Sequence, residues 1–173
     1  MELRTPRLNL RLLESRDWAF FQQLNQNHIV MRYVAEVPDE QSLKTLFTSR
    51  IATWEKGQDN WLTFIIERRD NNEPIGLHGL KSSAQNPQQA ELGFMLHPDF
   101  QGQGFALEAT QAVIDLAIKT QNYSSLIATV TAGNNASLSL LKKLGFTHLN
   151  TLQKNYQIYE TWYDDIILVL EAE

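Results

Sequence analysis

Cysteine is absent from this 173-residue chain. That absence excludes disulfide staples, thiolate metal sites and a cysteine nucleophile. No apolar run approaches the roughly 20 residues that a helical membrane span requires. The opening Met1-Glu2-Leu3-Arg4-Thr5-Pro6 lacks the apolar core of a secretory signal. Basic charge is scarce as well. Fifteen Lys and Arg against twenty Asp and Glu leave a net charge of −5, and the basic residues form no run. A general nucleic-acid binder presents a basic face, so that class is set aside. His28, His78, His97 and His148 have no metal-ligand spacing, and no metal is expected. These absences predict a soluble cytoplasmic protein with neither nucleic acid nor membrane as partner. The length fits one domain, 1–173, able to bury roughly 70% of its unfolded surface.

No linker, repeat or low-complexity tract interrupts the chain. Leu8, Leu10 and Leu12 alternate with Asn9, Arg11 and Leu13, which predicts a first strand. Ser15 is placed to cap a helix over 16–27, with Trp18, Phe21 and Leu24 on one face, before Asn25-Gln26-Asn27 breaks it. Pro38-Asp39 opens a helix over roughly 39–56, with Leu43, Leu46, Phe47, Ile51 and Trp54 at helical spacing and Gly57 as its stop. Strands are expected over 61–69, about 75–82 and 89–97, separated by polar turns at 70–74 and 86–88. A helix over about 104–121 sets Ala106, Ala109, Val113 and Leu116 on one face. The β-rich stretch 125–132 precedes a helix capped by Asn134 or Asn135 and closed by Gly145. A last strand, about 161–170, carries Ile166, Leu168 and Leu170 on one face. Several strands ahead of the long helix predict an α+β sandwich with a largely antiparallel sheet.

The most informative segment is Gln101-Gly102-Gln103-Gly104-Phe105-Ala106, a glycine-bearing loop that ends a strand and opens a helix. Glycines let backbone approach a ligand closely, and a helix start offers unpaired N–H groups at the positive end of its dipole. A phosphate-bearing ligand is expected. The dinucleotide fingerprint fails, because Leu107 stands where a third small residue is needed and no acidic residue follows about twenty positions on. The nucleoside-triphosphate loop, with its glycine-lysine pair, is absent too.

Gln101, Gly104 and Ala106 at this spacing resemble the acetyl-CoA pyrophosphate loop of the GNAT N-acetyltransferases: Arg or Gln, two residues, Gly, one residue, then Gly or Ala. The wider run, from Ala90-Glu91-Leu92-Gly93-Phe94 through Pro98 to Glu108-Ala109, is similar to the branch typified by ribosomal-protein N-terminal acetyltransferases, the RimJ/RimL type. Two further segments agree: Thr5-Pro6-Arg7-Leu8 with Leu10-Arg11 and Leu13, and Asn134 with Ser137 ahead of Lys143-Leu144-Gly145-Phe146.

The resemblance implies a GNAT-like three-layer α/β/α sandwich and acetyl-CoA as co-substrate. It implies transfer of acetyl to a primary amine, either a protein N-terminus or a small amine. The alternative is a catalytically silent CoA-binding or interaction domain on the same scaffold. By the same resemblance, the backbone of Phe94, Met95 and Leu96 lines pantetheine. Gln101, Gly102, Gln103, Gly104, Phe105 and Ala106 receive the pyrophosphate. Glu91 is the candidate base, and Asn134 contacts pantetheine or a bridging water. Ser137 is the candidate proton donor, the more so because Leu141 occupies the position of the tyrosine acid of many relatives. Arg32 and Tyr33 are acceptor-side candidates. Glu108 reads as a charge that complements the helix dipole. The chain is expected to act as monomer or homodimer.

Overall fold

A computed structural model describes residues 1–172. The elements, in chain order, are β1 (Glu2–Arg4), β2 (Leu8–Leu12), α1 (Trp18–Asn25), α2 (His28–Met31), α3 (Glu40–Ile51), β3 (Trp61–Arg68), β4 (Pro74–Ser82), β5 (Gln89–Leu96), α4 (Phe105–Asp115), β6 (Ser125–Thr131), α5 (Asn135–Lys143), β7 (Thr147–Ile158) and β8 (Thr161–Glu171). All eight strands join one sheet in the order β1-β2-β3-β4-β5-β6-β8-β7. Among the described residues β5 and β6 form the parallel pair, and every other neighbour is antiparallel.

Alternation along the strands sorts side chains to two faces. Phe64, Ile66, Leu80 and Leu92 point to the side covered by α4, where Ala109 and Val113 meet them. Ile65 and Leu77 point to the other side and pack against Phe21 and Leu24 of α1 and Leu43 and Phe47 of α3. The result is the three-layer α/β/α sandwich with a mixed sheet.

Several boundaries differ from the sequence expectation, for local reasons that can be named. The helix expected over 16–27 is divided. A 3₁₀ turn at Ser15–Asp17 leads into α1, and the Asn27 side chain accepts from the N–H groups of Ile29 and Val30 to cap α2 separately. Arg11 causes the first change: its guanidinium grips the Asp17 carboxylate with two contacts of 2.8 Å, while Asp17 also accepts from the Glu14 N–H. Helix α3 stops at Ile51 rather than near Gly57. The segment after it is tied elsewhere: Gly57 N–H donates to the Ser82 hydroxyl, and the Lys56 ammonium to the Gln121 carbonyl. Helix α4 continues into a wider π turn at Leu116–Thr120. Strands β1 and β7 had no counterpart in the expectation. Nearly every residue of β7 is exposed, so it carries no buried-face signal.

What positions the site is a failure of pairing. Strands β5 and β6 meet only at Gln89 with Ser125, Ala90 with Leu126 and Glu91 with Ile127. Beyond Glu91, β5 keeps its partner β4 and β6 keeps its partner β8, but the two diverge. Each therefore presents one free backbone edge to a V-shaped opening.

Candidate active site

The glycine loop stands at the mouth of that opening. Gly102 (φ +72°) and Gly104 (φ +81°) are left-handed, a conformation in which a Cβ costs energy. Gly104 is the N-cap of α4. Among the described residues the N–H groups of Gly102, Gln103, Gly104, Phe105, Ala106 and Leu107 find no acceptor; the first intrahelical bond runs from Glu108 N–H to the Gly104 carbonyl. A row of unpaired N–H groups at a helix start is an anion cradle. The loop is braced from behind. Glu108 accepts from the Thr5 hydroxyl, the Arg7 N–H (2.8 Å) and the Arg7 guanidinium (2.6 Å), while Arg7 also donates to the Gln103 carbonyl (2.9 Å). Burial works to raise the Glu108 carboxyl, but these donors outweigh it and hold it below its usual range. Glu108 thus does more than complement a dipole: it ties the chain's opening segment to the cradle.

Two cavities open from the V. The first, of about 550 Å³, runs along the cradle and is lined by Gln101, Gly102, Gly104, Phe105 and Ala106, by Phe94, Met95 and Leu96 of β5, and by Arg32. The second, of about 360 Å³, lies on the α1–α3 side and reaches Arg50, Trp61, Thr63, Tyr156 and Asp165. Tyr33, Val34, Phe94, Met95, Asn134 and Ser137 line both. These six residues mark the junction.

Asn134 and Ser137 stand at that junction because β6 ends there and α5 begins. The Asn134 side-chain oxygen accepts from the Ser137 N–H (3.3 Å), a helix cap, while the Ser137 hydroxyl has no partner among the described residues. Leu141 is buried and lines the second cavity. Glu91 stands at the apex of the V and shares a face with Gly93; the lining of the second cavity begins one residue further, at Leu92. Of the acceptor-side candidates, Arg32 belongs to the cradle's cavity alone, while Tyr33 reaches both and its ring packs against Gly133. Gln103 contributes its backbone carbonyl to Arg7 and does not line either cavity.

His78 is fully buried, with Nε2 3.1 Å from the Thr110 hydroxyl and its ring stacked on Phe94. Burial lowers its pKa to about 3, so it is neutral at physiological pH. No cluster of potential metal ligands occurs among the described residues, and no helix is long and apolar enough to cross a membrane.

Three further residues give the second cavity its character; Trp61 lies in a segment that the resemblance assigned to the acceptor pocket, whereas Arg50 and Asp165 escaped the sequence reading. Trp61, from β3, lies across the paired glycines Gly79 and Gly93. Arg50, in the last turn of α3, stacks its guanidinium 4.8 Å from the Trp61 ring centroid. Asp165, on β8, is buried and accepts from the Asn155 amide (2.7 Å). A Gly-x-x-Gly-type signal does not exist for such a set. The only hint was a pair of glycines inside two adjacent strands, which marks close approach of another group.

Comparison with known proteins agrees with this geometry. The family described as Acetyltransferase (GNAT) domain matches residues 7–147. The chain is 32% identical to the uncharacterized N-acetyltransferase YoaA of Bacillus subtilis, over 94% of this chain and 92% of that protein. A crystal structure of spermidine N-acetyltransferase from Vibrio cholerae, in complex with CoA and spermine, superposes with a TM-score of 0.83 at 25% identity, covering 96% of each chain. RimL, a ribosomal L7/L12 α-N-protein acetyltransferase solved with coenzyme A, superposes with a TM-score of 0.86 at 17% identity, over 99% of this chain and 98% of that one. At that identity RimL attests to the fold.

Proposed function

From the premise that this chain belongs to the GNAT acetyltransferase family and moves acetyl from acetyl-CoA to an amine, we propose a residue-level assignment of its site. The observation that carries it is the meeting of the two cavities at Asn134, Ser137 and the free edge of β5. In this reading the N–H groups of Gly102 to Ala106 hold the pyrophosphate, and Gln101 shapes the loop by donating its side-chain amide to the Leu96 carbonyl (3.0 Å). The free edge of Phe94, Met95 and Leu96 receives pantetheine. Acetyl-CoA supplies the thioester that the amine attacks.

The attacking amine must be neutral, so a base has to take its proton. Glu91 does so from the apex of the V, through water, because its side chain lies just outside the cavity lining. Ser137 presents a hydroxyl without a protein partner at the junction, where the leaving sulfur needs a proton; Leu141 has none to give. Backbone N–H groups on the free edge of β5 face the charge that develops on the transferred carbonyl. Arg32, at the cradle's cavity and without a protein acceptor, fits a phosphate of the cofactor, and Tyr33 bridges to the acceptor. The chain works as one domain, in the cytoplasm, on a protein N-terminus or a small primary amine.

A melting curve with and without millimolar acetyl-CoA tests the assignment. With a dissociation constant near 10 μM the ligand adds about 2.7 kcal/mol, or roughly 5–10 °C. A shift of that order, reduced in a Gly104→Glu variant, supports the cradle. An unshifted curve overturns it.

A further inference from the structure

The charge content of the second cavity narrows the acceptor. Arg4, Arg7, Arg11, Arg16 and Arg68 each hold a carboxylate, and Arg69 donates to the Thr5 carbonyl. Among the described residues Arg32 and Arg50 alone of the arginines donate to nothing. Each lines a cavity: Arg32 that of the cradle, Arg50 that of the acceptor.

Arg50 is half-buried, and burial pulls its pKa down to about 10 without any carboxylate to oppose the effect. A guanidinium withdrawn from water and left unpaired is costly, so its position calls for a partner. The bland explanation, a cation set against the negative end of α3, does not account for its orientation. An arginine serving the dipole alone gains the same benefit while extended into water. Instead the guanidinium lies on the Trp61 indole, which is in turn seated on Gly79 and Gly93. Contact with the ring limits where the guanidinium can go, and its N–H groups, which donate to no described protein acceptor, suit a planar anion.

The cavity holds one opposing charge. Asp165 is 7% exposed; Asn155 occupies one of its oxygens, and among the described residues no group bonds the other. Asp165 pairs with Thr131, three residues before Asn134, and so belongs to the junction side. Among the described residues Arg50 is the only Arg or Lys and Asp165 the only Asp or Glu lining this space, and His78 is neutral. One cation and one anion suit a ligand that carries one of each. A polyamine brings several positive charges and would set one against Arg50.

Resting on the acetyl-transfer reading above, we propose that the acceptor is an amino acid or similar small amine bearing a carboxylate, which Arg50 binds on its Trp61 platform while Asp165 faces the ammonium. The reacting amine loses its proton before attack, and the carboxylate end takes no part in the chemistry. Arg50 is a specificity-determining residue, and the acetyl group goes to nitrogen with CoA released as the thiol.

The test measures CoA release from acetyl-CoA, which the cysteine-free chain leaves without protein-thiol background. Acceptors are the free amino acids, β-alanine and 4-aminobutyrate, the amides of whichever react, and spermidine. The expected result is that at least one free acid is a substrate and that its amide falls at least tenfold in kcat/KM. Spermidine should be weaker than the acid. Arg50→Gln should raise KM for the acid at least tenfold and bring acid and amide together, while its melting shift with acetyl-CoA stays as in the parent. Equal use of acid and amide, preference for spermidine, or an acid-to-amide ratio unchanged in Arg50→Gln each overturns the proposal. So does acetyl-CoA binding without turnover of any carboxylate-bearing amine. Absence of acetyl-CoA binding is a separate outcome, which overturns the transferase assignment and this proposal with it.

Discussion

Trp61 lies so close over Gly79 that a Cβ on that glycine would sit 2.7 Å from the indole Cε3. The neighbouring Gly93, paired with Gly79 across β4 and β5, leaves 3.3 Å to the same ring. The sheet is bare at these two positions so that an aromatic floor can lie flat in the second cavity. Gly79→Ala should therefore push the indole off the sheet, cost about 1–3 kcal/mol of stability through overpacking, and raise KM for the acceptor. The melting shift with acetyl-CoA should persist. Steady-state kinetics beside melting curves check this, and an unaltered KM would mean that Trp61 does not shape the acceptor site.

Gly104→Glu puts a side chain on a left-handed residue that already stands 3.3 Å from the Arg7 guanidinium at its Cβ position. The strain costs about 1–2 kcal/mol, and the added carboxylate opposes an anion in the cradle. Calorimetric titration with acetyl-CoA should give no measurable binding, with circular dichroism showing a retained fold. Affinity equal to the parent's would place the phosphates elsewhere.

Glu91→Gln keeps the shape of the apex and removes the base. Turnover should fall more than tenfold, within the roughly 10²–10⁴-fold that a positioned base supplies, with acetyl-CoA affinity unchanged. Parental turnover in the variant removes Glu91 from the mechanism.

The brace behind the cradle has a pH signature. Glu108 is held below its ordinary value of 4.5 by Thr5 and Arg7. A depressed carboxylate adds stability that is present above the unfolded pKa and lost as pH falls through the folded one. Arg7 is 46% exposed, so solvent weakens the ion pair. Glu108→Gln should therefore cost only about 1–2 kcal/mol at pH 7, chiefly through lost charge-assisted hydrogen bonds. The gap between parent and variant should close below about pH 4.5. Denaturant unfolding across pH 3–7 measures it, and a constant gap would mean the contribution is not ionic.

Much of the glycine loop and of helix α5 was legible in the sequence, because their signals are local. The left-handed glycines, the helix start behind them, the Asn134 cap and the Gly145-Phe146 stop each act within a few residues of chain. Gly145 is left-handed (φ +90°), and Phe146 N–H closes on the Leu141 carbonyl (3.0 Å). Helix α3 was read too long because nothing between Ala52 and Gly57 forbids helix. Its stop comes from Ser82 and Gln121, which are remote in sequence. Strand β7 was missed for the opposite reason: all but its last residue, Ile158, are exposed, and it exists through its pairing with β8.

Neighbouring residues alone set the layered α+β architecture and the place of the left-handed glycine loop at the start of α4, since periodicity and backbone conformation are local properties. Where β5 parts from β6, and which residues line the second cavity, depend on contacts between segments remote in the chain. Arg50, Trp61 and Asp165 come from α3, β3 and β8. They acquire a joint meaning only when packing brings an unpaired cation, an aromatic floor and a buried carboxylate to one cavity, because charge and burial are settled by neighbours in space.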